Sequence, residues 1–291
     1  MKDKKTLIII VATIVTIAVL VGAIFMSSDK NKNNQNNYNG RTEVADEYKY
    51  NTSILTNEKA PTKGDAVISS IDGYTEVTDQ TFLKLPYEVT KDGEKVYEII
   101  SIGKCNGTFY DGEVKRDMSD SLAIVVKNTT DKVVSISNVS FVYADGKECT
   151  FTVSNLPPEK SALVFADVTE VKEGEEQNVI IKDVPFSDVT KIKVSANQAI
   201  MTTNLPLLAD KVGVDYKDGK FIITNLTGDN LGQISVKFMM CADNDANIFI
   251  GGNTCAVYQQ NVMPYETYLV DAKSFDPDKS TIIAVESYKP Y

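Results

Sequence analysis

Histidine and tryptophan are absent from the 291 residues. Without histidine the chain lacks the commonest general base and the commonest metal ligand, and no Ser-His-Asp or Cys-His nucleophile can be assembled within it. Cysteine is scarce. Cys105, Cys149, Cys241 and Cys255 are the four, and none stands in a C-x-x-C pair, which argues against a zinc ribbon or a thioredoxin-type site. Positive charge is short as well: Lys and Arg number 30 against 40 Asp and Glu, a formal charge of −10. An acidic surface suits neither phosphate backbones nor anionic headgroups, and it keeps a protein in solution by like-charge repulsion. These shortages assign no catalytic, cofactor-binding or metal-binding residue. They read as a chain that is not an enzyme and has no nucleic-acid partner.

Against that stands one long apolar run. Residues 7–26, LIIIVATIVTIAVLVGAIFM, carry no charge and no proline. As a helix they would extend ~30 Å, the thickness of a bilayer's hydrocarbon core. Lys2, Lys4 and Lys5 precede the run and Asp29 follows it, so segment 1–26 carries a net +2 and leaves −12 on residues 27–291. The positive-inside rule then places the N-terminus in the cytoplasm and the body outside, as a single-pass signal-anchor in the cell membrane. The competing reading is a secretory signal cut after Val21-Gly22-Ala23. An external body permits disulfides without requiring them.

After the anchor comes a stretch with almost nothing to bury. Residues 27–40, SSDKNKNNQNNYNG, hold six asparagines, and 41–64 stay polar without clear periodicity. Such a composition does not offset its own ordering entropy. Residues 27–64 therefore read as a disordered, Asn-rich linker with a root-mean-square reach of ~35 Å. The asparagine and lysine bias suggests a bacterial source.

From 65 onward the pattern is that of strands. Asp-Gly occurs at 72–73, 92–93, 111–112, 145–146 and 218–219, and Asn106-Gly107 adds a further turn signal. Between them lie short runs rich in Val, Ile, Thr, Tyr and Phe. The expected strands are 66–71, 96–102, 121–128, 133–144, 147–154, 161–168, 178–183 and 189–197. A second set is expected at 212–217, 220–226, 231–242, 247–258, 266–272 and 281–288. A single helix-like patch, 79–84, stops at Pro86. Many short strands with frequent turns predict an all-β chain of β-sandwiches.

The chain also repeats itself. Asn128, Val139 and Phe141 match Asn225, Val236 and Phe238 at a spacing of 97, and Cys149, Pro158, Leu163 and Ala166 match Cys255, Pro264, Leu269 and Ala272 at 106. The nine extra residues fall between Asp243 and Thr254, which reads as a hairpin tip where insertion costs little. Two domains follow, 65–200 and 201–291. The run Asn128-Thr129-Thr130, Phe141-Val142-Tyr143-Ala144-Asp145-Gly146 and Leu156-Pro157-Pro158-Glu159 resembles the FxLYD-type family of bacterial surface β-sandwiches. The second copy, with Asn225, Phe238 to Asp243 and Met263-Pro264-Tyr265-Glu266, is similar but looser. Tyr143 and Ala144 stand where the family has Leu and Tyr. The resemblance implies two tandem immunoglobulin-like domains in an extracytoplasmic protein and carries over no catalytic residue.

Few residues invite a site. Asp243, Asp245 and Asn247 imitate the start of a calcium loop, but Ile248 and Thr254 occupy the places that need Gly and Glu, so a polar hairpin tip explains them. Cys241 and Cys255 lie symmetrically about residue 248, and a hairpin centred there would face them across the strands as a candidate disulfide. Two separate half-buried thiols is the other reading. Tyr258, Tyr265, Tyr268, Tyr288 and Tyr291 gather late in the chain, as strand packing or a recognition surface. The function expected is a membrane-anchored binding or spacer protein of a bacterial cell surface. Its partner would be an unidentified protein or a cell-wall polymer, with residues 7–26 in the membrane. The rival expectation is an accessory or sensory subunit of a membrane complex, contacting partners through its anchor helix.

Overall fold

The computed structural model describes residues 54–55, 68–171, 179–242 and 245–288; the anchor segment 7–26, most of the linker and Asp243 lie outside them. The chain divides into two compact units, 1–43 with 170–180 and 44–169 with 181–291. No helix among the described residues is long and apolar enough to cross a membrane.

The fold is all-β. In chain order the strands are β1 (Tyr74–Glu76), β2 (Tyr87–Lys91), β3 (Glu94–Asp111), β4 (Val114–Lys127), β5 (Val133–Tyr143), β6 (Glu148–Leu156), β7 (Ser161–Phe165) and β8 (Asp167–Val171). They continue with β9 (Val179–Asp183), β10 (Ile192–Thr202), β11 (Val212–Lys217), β12 (Lys220–Asn225), β13 (Gln233–Ala242), β14 (Asp245–Gln259), β15 (Thr267–Asp271) and β16 (Ser280–Tyr288). Four of the five Asp-Gly pairs turn a hairpin, between β2 and β3, β3 and β4, β5 and β6, and β11 and β12. Asp92 and Gly93 have φ of 53° and 84°, and Asp218 and Gly219 have 50° and 76°, the paired positive values that a two-residue hairpin turn needs.

Several expectations shift. Asn106-Gly107 is not a turn. It is a bulge inside β3, where the register with β4 slips between Cys105 and Gly107, so β3 continues to Asp111. The patch 79–84 forms neither helix nor strand, and 66–71 yields a 3-10 turn at Ile68–Ser70. β1 and β2 were not expected; they are short and lie beside β3.

One eight-stranded sheet runs β1-β3-β4-β7-β14-β13-β16, with β2 beside β3; a five-stranded sheet runs β10-β5-β6-β8-β9 and a three-stranded sheet β11-β12-β15. In the first half of the chain, Val96, Ile99 and Ile124 from the large sheet share a core with Val139, Phe141 and Phe151 from the five-stranded sheet. In the second half, Val214, Phe221 and Ile223 of the three-stranded sheet share another with Val236, Phe238 and Val257 of the large sheet. Full burial of each such side chain contributes about 1.5–3 kcal/mol.

The repeat read from the sequence is present in the pairing. Phe141 stands opposite Cys149 on β5–β6, and Phe238 stands opposite Cys255 on β13–β14. Ala123 faces Phe165 across β4–β7, and their counterparts Lys220 and Asp271 face each other across β12–β15. The polar knots also coincide. Asn128 Nδ2 donates to Lys132 O and Leu156 O while its Oδ1 accepts from Thr130 N and Oγ1. Asn225 Nδ2 donates to Asp229 O and Met263 O while its Oδ1 accepts from Thr227 N and Oγ1. Both asparagines are buried. Each replaces the backbone partners that a chain loses on leaving a strand.

Among the described residues one parallel strand pairing joins the halves. Ile248, Phe249 and Ile250 of β14 lie beside Ser161, Ala162 and Leu163 of β7. The stretch read as linker also contributes: Ile54 N donates to Val214 O at 2.7 Å, and Leu55 is buried in the core of the second half.

Candidate functional site

Arg116, on β4 just past the Asp111-Gly112 turn, is the most unusual charge in the described residues. Its side chain is 7 % exposed, yet it is ionic. Nη1 donates to Asp111 Oδ2 at 3.1 Å, Nε to Asp183 Oδ1 at 3.0 Å and Nη2 to Ala166 O at 3.3 Å. Nη2 also contacts Asp167 and Asp183. The guanidinium carbon lies 5.3 Å from the centre of the Phe165 ring. Burial works against the cation; Asp167, Asp183 and Asp111 outweigh it and raise the arginine's pKa. Three carboxylates on one guanidinium leave excess negative charge. Burial therefore pushes Asp167 up to about 6, against the pull of Arg116 and with the help of Asp111 and Asp183.

The cluster reaches the second half. The other oxygen of Asp111, Oδ1, accepts from Asn253 N at 2.9 Å and from Asn253 Nδ2 at 3.1 Å. Beside it Thr254 N donates to Ser154 Oγ at 3.1 Å, and Asn155 Nδ2 donates to Thr254 Oγ1 at 2.9 Å. Lys160 Nζ donates to Asn247 Oδ1 at 2.8 Å. Every one of these second-half residues lies in or at the edge of the nine-residue insertion. The stretch expected as a hairpin tip belongs instead to β14 and forms the seam between the halves.

The residues singled out in the sequence fare unevenly. Asn247 spends its side-chain oxygen on a lysine, and Asp243 lies outside the described residues. Cys241 and Cys255 are not brought face to face. Cys255 pairs with Phe238 and Cys241 with Phe249, because the β13–β14 ladder closes where Ala242 pairs with Asp245 and is not centred on residue 248; its two register slips narrow the mismatch without removing it. At strand rise the two cysteines stand ~10 Å out of step, beyond disulfide reach. They belong to different cores, and Cys241 Sγ lies 3.4 Å from Thr281 Oγ1. All four cysteines are buried, and burial pushes the Cys105 and Cys255 thiols up to about 12. Among the tyrosines, Tyr258 and Tyr288 lie near Glu286 on one face of the large sheet, and the Tyr288 hydroxyl donates to that carboxylate. Tyr268 turns inward onto the core, and Tyr265 stands 73 % exposed in the loop before β15. Tyr291 lies outside the described residues.

Sequence reasoning missed Arg116 and its carboxylates. One signal was there: Arg41 and Arg116 are the two arginines among 30 basic residues. In a chain that otherwise uses lysine, arginine marks a place that needs a planar fork of donors. No family model, curated protein or solved structure matches the chain.

Proposed function

We propose that this chain is a membrane-anchored extracytoplasmic protein of a bacterial cell surface that acts by binding or spacing. Residues 7–26 span the membrane once, with the N-terminus in the cytoplasm. The body comprises two immunoglobulin-like β-sandwich modules of the FxLYD type. The observation that carries this reading is the repeated strand order. Strands β3-β4-β7 with β10-β5-β6, and β11-β12-β15 with β16-β13-β14, repeat one order, and that repetition supports reading each half as an A-B-E over F-C-C′ sandwich. The charged cluster supports a structural role, since its carboxylates converge on Arg116 and its reach is toward the other module. Two modules fixed to each other present sheet edges and loops at a set spacing, which is what a passive binder needs.

The test is protease shaving of intact cells making the full chain. Loss of the body together with retention of an N-terminal membrane fragment is expected. A body protected until the cells are broken would overturn the external placement. A comparison of partners captured by the full chain and by a chain lacking residues 1–26 separates the binder from the accessory-subunit reading, which requires that they be lost with the anchor.

A further inference from the structure

The first half is completed by a strand that it does not own. The outer edge of β7 is occupied by Ile248–Ile250 of the insertion, and every residue of β7 is buried. The element at the same place in the second half is β15. Its register against β12 repeats that of β7 against β4. No strand among the described residues lies on its other side, and Thr267, Tyr268, Leu269 and Val270 are only half-buried. Among the described residues the edge is open in the hydrogen-bonding sense as well. Ladder bonds alternate along a strand. Glu266 O and Ala272 N bond toward β12 and its turn, so Tyr268 and Val270 bond the same way and Thr267 and Leu269 turn their N–H and C=O groups outward. An open strand edge is a template for another strand.

The duplicated half also specifies what fits. At β7 the guest is a parallel strand of alternating large apolar residues, Ile-Phe-Ile, preceded by Asn247, whose amide meets Lys160. The position equivalent to Lys160 before β15 is Glu266. We propose that the outer edge of β15 is a docking site for a parallel strand from a partner protein, with large apolar residues and a lysine or arginine just before them. The guest would come from a hairpin lengthened as β13–β14 is. Glu266 replaces Lys160, and its carboxylate, which accepts from the Tyr268 hydroxyl at 3.0 Å through Oε2, turns the preference from a neutral amide to a cation at its other oxygen; the chain's own insertion, with Asn247, stays on β7. This inference rests on the binding reading above and names the chemistry of its partner.

The test uses the full chain in detergent and two synthetic peptides, Asp-Ala-Lys-Ile-Phe-Ile-Gly-Gly-Asn and the same sequence with Glu for Lys. Fluorescence anisotropy reads binding, and amide hydrogen exchange reads Thr267 and Leu269. The Lys peptide is expected to saturate the protein below about 1 mM and to bind about tenfold tighter than the Glu peptide. It should slow exchange at both amides. Leu269→Pro removes an outward N–H without taking a ladder bond from β12, so it should abolish binding with the thermal transition still present. Glu266→Lys should reverse the order of the two peptides, and this readout stands even if the proline variant fails to fold. No saturable binding of either peptide, unchanged exchange at Thr267 and Leu269, or an order that Glu266→Lys leaves intact would overturn the proposal. None of those outcomes bears on the external placement, which protease shaving decides separately.

Discussion

Gly252 of β14 lies so close to Thr152 of β6 that a Cβ on the glycine would stand 1.8 Å from the threonine's carbonyl oxygen. No side chain fits that gap, so the two backbones meet there only because the residue is glycine. Gly252→Ala is expected to force the seam apart and to cost about 3 kcal/mol or more. Urea unfolding followed by tyrosine fluorescence and by circular dichroism should coincide for the native chain and separate for the variant. A variant whose midpoint matches the native one would show that the halves do not depend on this contact.

Asn128 and Asn225 make the same set of bonds in the two halves, and both are buried. Replacing either with alanine strands backbone carbonyls and N–H groups away from water. Each substitution should cost on the order of 2–4 kcal/mol, read as a fall in the denaturation midpoint at unchanged slope. The two losses should be similar, because the partners are similar.

Asp167 has its folded-state pKa raised to about 6, chiefly by burial. The unfolded carboxyl titrates near its ordinary value, so the folded protein holds the proton more tightly between these values. The stabilisation from this group is therefore complete below about pH 4 and is lost as pH rises through about 6. Asp167→Asn keeps an oxygen for Arg116 and removes the titration. Relative to the variant, the native chain should lose on the order of 2 kcal/mol of stability between pH 4 and pH 7. Melting curves of both proteins across that range check it, and parallel curves would refute the assignment.

Leu55 belongs to the stretch that reads as linker, yet it is 7 % exposed and packs with Val212, Val214 and Phe221. Leu55→Ala should destabilise the body by about 2–4 kcal/mol, read from the urea midpoint. A body begun at residue 65 should show a loss at least as large, since it also forfeits the bond from Ile54 N to Val214 O.

Much of the fold was legible because its signals are local. Asp92-Gly93 and Asp218-Gly219 announce their hairpins, and the alternating runs around Phe141 and Phe238 announce their strands. Asn106-Gly107 misled because a bulge, like a turn, takes a glycine at positive φ, here 114° at Gly107. What stayed hidden is long-range. Asp111 meets Asn253 and Arg116 meets Asp183 across separations that no period in the sequence marks. The insertion was visible as extra length, but its pairing with β7 is fixed by the meeting of two folded halves. Ile54 and Leu55 were lost among polar neighbours, where two apolar residues make no pattern.

The parallel pairing of Ile248 with Ser161 also sets an order of events during synthesis. The ribosome delivers β7 long before it reaches β14, and domains that emerge first tend to fold first. The nascent first module must wait with one flank raw, at a time when chains crowd together and unpaired strands find wrong partners. Whatever shields this flank from the completion of β7 until β14 emerges would protect yield without altering the stability of the finished fold.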